Sequence, residues 1–175
     1  MGEQREDAVS IMVAFPLNPD QFRWHYNGMI SDLRSAMAGK ANFLCALGLL
    51  VYAEVLRRDV LERRGLKKPG REESFYCFWE EFMKLPRGTG DKIYEHFRHG
   101  LAHTYKFLAA DMSIVAMHSD PNAISPDPLP AISMSPDGKI KTITVNAYWR
   151  DFQRGIISFA REYPDILAPR PAQNG

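Results

Sequence analysis

The stretch ANFLCALGLLVYAEVLRRDVLERR, residues 41–64, is apolar nearly all round in its first half. Such a segment belongs either in a membrane or at the centre of a helical core. Its uninterrupted apolar run, Ala41 to Ala53, is about 13 residues long, whereas a bilayer span needs about 20. Glu54 then ends it. The stretch therefore reads as one central helix from about Ala41 to Arg64. Arg63 and Arg64 suit the negative end of its dipole, and Gly65 stands where a C-terminal cap belongs.

On the N-terminal side, Asn18-Pro19-Asp20-Gln21 has the order of a helix start: an N-cap, a proline in the first turn, and a glutamine at the capping-box position. Phe22, Tyr26, Met29, Ile30, Leu33 and Met37 follow at helical spacing, and Gly39 can close that helix. On the C-terminal side, Leu66 to Gly70 is a basic loop. Phe75, Phe78, Trp79, Phe82 and Leu85 mark a third helix that stops at Pro86. Thr89 or Asp91 can cap a fourth, with Ile93, Phe97, Leu101 and Leu108 on its inner stripe.

The pattern changes after about Ala110. Ser113 to Met117 and Ala131 to Met134 read as short strands, and Ile140 to Val145 as a third, rich in β-branched residues. Pro136-Asp137-Gly138 is a turn signal between the last two. A final helix begins near Asn146, with Trp149, Phe152, Ile156 and Phe159 facing inward. The expected fold is mainly α: an up-and-down bundle of about five helices with a small β-hairpin inserted before the last. One domain spans 1–175, with 18–110 and 146–163 as helical core, 112–145 as the insertion and 164–175 as a loose tail.

Composition supports this. Of 175 residues, 45% are hydrophobic and 25% charged, the balance of a globular chain rather than a disordered one. A net charge of +1 argues against wrapping in nucleic acid by charge alone. The opening Met-Gly-Glu-Gln-Arg-Glu-Asp has no signal-peptide character. Cys45 and Cys77 lie in apolar segments, too few for a disulfide framework. A cytoplasmic protein with no membrane partner is expected.

Three of the five histidines fall within His96-Phe97-Arg98-His99-Gly100-Leu101-Ala102-His103. Histidine is the side chain that exchanges protons most readily near neutral pH. On an ideal helix, His96, His99 and His103 point away from the Ile93–Leu108 stripe, with Glu95 and Lys106 near their edge. Arg98 and Tyr105 are about two turns apart and share a flank. Arg98 and His103 diverge by about 140°, so they converge only if Gly100 loosens the helix or a second copy supplies the other half. A homodimer is therefore expected. The three histidines spread over about 10 Å, too far for one ion, although two of them with Glu95 or another helix could hold one. A helical metal-binding protein is thus a further alternative, but no cofactor or metal is expected.

Arg98-His99-Gly100-Leu101-Ala102-His103 resembles the HEPN signature: an arginine, a polar residue, and a histidine after four intervening positions. His103-Thr104-Tyr105 is similar to the extended His-x-Tyr form seen in HEPN toxins paired with minimal nucleotidyltransferases. The resemblance implies a metal-independent endoribonuclease acting as a dimer, in a toxin–antitoxin or phage-defence setting. It makes His103 the general base on a ribose 2′-hydroxyl, Arg98 the phosphate clamp, and His99 an orienting or acidic group. Tyr105 would line the site and accept modification by an adenylylating partner, and the product would carry a 2′,3′-cyclic phosphate. The alternative is a catalytically silent HEPN-like module that binds a nucleotide, an RNA or a protein. Basic residues between Arg57 and Arg71, among them Arg63, Arg64, Lys67 and Lys68, could track an RNA backbone, or simply form a solvated helix end.

Overall fold

A computed structural model describes residues 17–39, 41–66, 77–93, 113–115, 130–134, 136 and 140–168. These are mainly helical, with a small sheet before the last helix. Helix α1 is Trp24–Ala38 and α2 is Asn42–Arg63, the latter within a residue of the sequence expectation at each end. They run antiparallel: Tyr26 near the start of α1 donates to Asp59 near the end of α2, and the Tyr52 hydroxyl bonds Asp32 at 2.7 Å. The apolar positions read from the sequence, Tyr26, Met29, Ile30, Leu33 and Met37, are all buried.

The chain enters α1 differently from the expectation. Asn18 caps not α1 but a separate 3-10 turn, Pro19–Gln21, by accepting from the Asp20 N–H. Phe22 then takes an extended conformation (φ −113°, ψ 153°) and bridges to Leu167. Gln21, read at the capping-box position of α1, is the last residue of this 3-10 turn. Its carbonyl instead accepts from the Ala168 N–H at 2.9 Å, while the Arg23 N–H donates to Ile166 at 2.9 Å. A backbone pairing with the far end of the chain outcompetes helix propagation at Phe22. The same contact corrects the expected loose tail in its first part: Pro164–Ile166 forms a turn, Ile166 is fully buried, and 169–175 lie outside the described residues.

Gly65 ends α2 in the left-handed conformation, φ +70°. Its N–H bonds the Glu62 carbonyl at 3.0 Å and that of Leu66 bonds Leu61 at 2.9 Å, the paired bonds of a Schellman cap. The third helical segment is Cys77–Phe82, wound as a π turn in which the Met83 N–H reaches the Phe78 carbonyl at 2.9 Å. Phe78, Trp79, Phe82, Met83 and Leu85 are buried. Helix α3 is the short Thr89–Ile93, and α4 is Val145–Glu162. Trp149, Phe152, Ile156 and Phe159 of α4 all face inward as expected. The π turn crosses α4 at Gly155, where an added Cβ would lie 2.7 Å from Met83 Cγ and 3.1 Å from Phe78 Cζ. The buried indole of Trp79 donates to the Tyr148 hydroxyl at 2.6 Å, so both polar ends are satisfied inside the core.

Strands β1 (Ser113–Val115), β2 (Ile132–Met134) and β3 (Ile140–Thr144) form a sheet in the order β1-β3-β2. β2 and β3 pair antiparallel, as the turn signal implied, with Ile132 opposite Ile143. β1 adds to the other edge of β3 in parallel, with Ile114 opposite Ile143. The insertion is thus a three-stranded mixed sheet rather than a hairpin alone, because the central strand offers two edges. β3 runs directly into α4 at Val145, which ties the sheet to the helical core.

Candidate functional site

Glu95, Arg98, His99, His103, Tyr105 and Lys106 lie outside the described residues, as do Phe97, Leu101, Leu108, Lys67 and Lys68. What is described is the approach to the motif. After the π turn the chain takes a positive φ at Lys84 (61°) and Gly88 (78°) and enters α3. The Gly88 N–H is held by Glu80 Oε1 at 2.5 Å, which fixes the turn. Ile93, first of the expected inner stripe, is buried. Thr89, one of the two residues read as a cap, is the first residue of α3; it is fully buried and its hydroxyl has no hydrogen-bond partner. Among the described residues no group of three or more His, Cys, Asp or Glu could hold a metal ion.

Arg63 and Arg64, read as candidates for tracking RNA, have their guanidinium groups committed to carboxylates of the same chain. Arg63 Nε bonds Asp59 at 2.8 Å, one turn back on α2, and its Nη1 bonds both Asp165 oxygens at 2.8 and 3.0 Å. Its planar group also lies 5.6 Å from the Phe159 ring centre and 5.0 Å from that of Tyr163. Arg64 grips Glu81 through two nitrogens at 2.8 and 2.7 Å and reaches Glu162 at 3.2 Å. The pair therefore joins α2 to the π turn, to α4 and to the 164–168 segment. Arg58 bonds Glu54 one turn back at 3.2 Å and keeps a largely exposed side chain.

This polar network is the cluster that sequence reading missed. The Arg63 bond holds the Asp165 carboxyl below the usual carboxylate range, against the opposing effect of burial. Tyr26 is pushed upward by burial first and then by the neighbouring Asp59 carboxylate. Tyr52 is raised to about 12 by burial and Asp32. Burial alone raises the Cys45 thiol to about 12, so it behaves as a small hydrophobe and not a nucleophile. Only the Asp59–Arg63 spacing of four residues was visible in the sequence. The partners Asp165 and Glu162 lie about a hundred positions away, and no local signal announces them.

No protein-family model, curated protein or solved structure matches this chain.

The described residues thus frame the start of α3 through the Glu80–Gly88 bond and the buried Ile93. Within that frame, no helix among the described residues is long and apolar enough to cross a membrane.

Proposed function

We propose that this chain is a HEPN-like, metal-independent endoribonuclease that works as a dimer. The observation that carries it is the motif Arg98-His99-Gly100-Leu101-Ala102-His103-Thr104-Tyr105. Support comes from its setting: a mainly helical domain, a long apolar helix preceding the motif, and a buried Ile93 where the motif helix is expected to begin its inner stripe.

His103 as a neutral imidazole takes the proton from a ribose 2′-hydroxyl, and the freed oxygen attacks the adjacent phosphorus. The 5′-oxygen of the next nucleotide leaves with its electron pair and is protonated, with His99 placed to assist. Arg98 presents its fork of donors to the non-bridging oxygens as charge gathers on them. Tyr105 lines the site, where it is also open to adenylylation by a nucleotidyltransferase partner. RNA contacts fall to Glu95, Lys106, Lys67 and Lys68, and less to Arg63 and Arg64, whose charges are already matched.

The deciding experiment is RNA cleavage in EDTA by the wild type, Arg98→Ala and His103→Ala, each verified for fold and association state. Cleavage leaving 2′,3′-cyclic phosphate ends is expected, with His103→Ala slowed by roughly 10²–10⁴-fold, the usual range for a general base. No cleavage across varied RNAs with the fold intact would point instead to a binding module. Activity that EDTA abolishes would point to a metal site on the histidine row.

A further inference from the structure

Between Asn18 and Trp24 the chain holds nearly all of a longer helix and interrupts it at two residues. Asn18 already has the extended backbone of an N-cap (φ −82°, ψ 117°), and its side chain accepts from the Asp20 N–H. Pro19 stands at the first helical position, where proline is favoured, and Pro19–Gln21 is wound as a 3-10 turn. Phe22 (ψ 153°) and Arg23 (ψ 158°) are then extended, and α1 begins at Trp24. Phe22 stands four positions before Tyr26 and eight before Ile30, so a continuous helix would keep its ring on the buried stripe.

The interruption leaves helical bonds unmade. The Asn27 N–H donates to the Arg23 carbonyl at 2.9 Å, and Arg23 supplies no side-chain cap. Ahead of that bond, the N–H groups of Trp24, His25 and Tyr26 have no acceptor within α1. In a helix begun at Asn18 they would donate to Asp20, Gln21 and Phe22, and the Arg23 N–H to Pro19. The 164–168 segment takes two of the groups such a helix needs. The Arg23 N–H donates to Ile166 and the Gln21 carbonyl accepts from Ala168, both at 2.9 Å. Ile166 anchors the segment in the core, Leu167 bridges to Phe22, and Asp165 is bonded by Arg63. On the other side of the break, the fully buried Leu17 bonds Gln153 through its N–H at 3.4 Å.

We infer that residues 164–168 are a strap that holds α1 in a shortened state, and that releasing it fuses Pro19–Gln21 with Trp24–Ala38 into one helix capped by Asn18. The two states exclude each other, because the same Arg23 donor and Gln21 acceptor serve both. Release lengthens α1 by the stretch from Pro19 to Arg23, about 7.5 Å of helix. This exchange stands apart from the nuclease reading and survives its failure.

The test follows backbone amides of the full chain by NMR. Ile166→Asn is expected to release the strap, so that the amides of 166–168 exchange faster. Those of Trp24, His25 and Tyr26 are expected to exchange about tenfold or more slower than in the wild type. The Cα shifts of Phe22 and Arg23 should move from extended to helical values. Trp24→Pro is the lock. It suits the shortened state, since Trp24 is 90% exposed, opens α1 and follows an extended Arg23. It forbids the fused helix, because it removes the N–H meant for Asp20 and keeps Arg23 out of the helical region. Ile166→Asn combined with Trp24→Pro should therefore loosen the strap with no gain of helix at Phe22 and Arg23. Should Ile166→Asn fail to fold, Ala168→Pro decides. It removes a single strap N–H and leaves Ile166 in place, and the two Cα shifts are expected to move part of the way to helical values. A loosened strap with Phe22 and Arg23 still extended overturns the inference. So does a gain of helix that Trp24→Pro leaves intact, or an Ala168→Pro protein with wild-type shifts at both residues.

Discussion

The two ends of α2 depart from sequence expectation in opposite directions. The N-terminal half reads as apolar nearly all round and central, but it leaves Leu44 and Val51 at the surface. The C-terminal end reads as a basic, solvated terminus, but Arg63 and Arg64 are drawn into a network with Asp59, Asp165, Glu81 and Glu162. Composition reports what a side chain prefers, whereas burial depends on how many faces its neighbours can cover. A helix apolar all round needs neighbours on every side. Among the described residues, α1, the π turn and α4 cover one side of α2.

The largest effect should separate the two faces of α2 within its apolar half. Leu49 is 1% exposed, so Leu49→Ala should cost about 2–5 kcal/mol through lost contacts and a residual cavity. Leu44→Ala, five residues away on the outer face, should change monomer stability by no more than about 0.5 kcal/mol. Denaturant midpoints of both variants, compared in a background that prevents association, check this. Equal losses would mean that Leu44 is packed in solution and that the contrast between the faces is wrong.

The next effect tests the other end. Arg64→Met keeps the aliphatic stem near Phe82, which lies 5.9 Å from the guanidinium, but removes the bonds to Glu81 and Glu162. These side chains are partly exposed, so water re-solvates the carboxylates, and a loss of about 1–2 kcal/mol is expected. Chemical denaturation at low and high salt measures it. A neutral result would return Arg64 to the role of a solvated basic residue, available to RNA.

Much of the helical frame could be read before the structure because its signals are local. The Tyr26–Met37 stripe, the run from 42 to 63 ended by Gly65, and the inward row Trp149–Phe159 each depend on a 3.6-residue period or a single cap. What escaped is non-local. The extended break at Phe22 exists because Leu167 pairs with it, and β1 joins β3 in parallel across a separation that no turn signal encodes. The π turn bends toward α4 because Gly155 leaves room for Met83 and Phe78, a vacancy visible only once both elements are placed. For the candidate site, the sequence supplied the motif, and the structure speaks to its approach through Glu80, Gly88 and Ile93.

The smallest effect isolates charge within the clamp at the C-terminal end of α2. Asp165 is bonded by Arg63, and its pKa is lowered from an ordinary 3.8. A carboxyl with a depressed folded-state pKa adds stability that is fully present above its unfolded value. That contribution is lost as pH falls through the folded value. The side chain is 56% exposed, so solvent screening limits the contribution to about 0.2–1 kcal/mol. Asp165→Asn should therefore be less stable than the wild type by that amount at pH 7. Between about pH 4 and pH 2 the two proteins should converge, as the wild-type carboxyl protonates and comes to resemble the amide. Paired urea titrations across this range, read as the difference between the proteins, cancel the other acidic groups. A difference that persists at pH 2 would assign the role of Asp165 to the Pro164–Ile166 turn itself. The end of α2 would then be held by packing of Ile166 and the rings of Phe159 and Tyr163, with the arginine charge incidental.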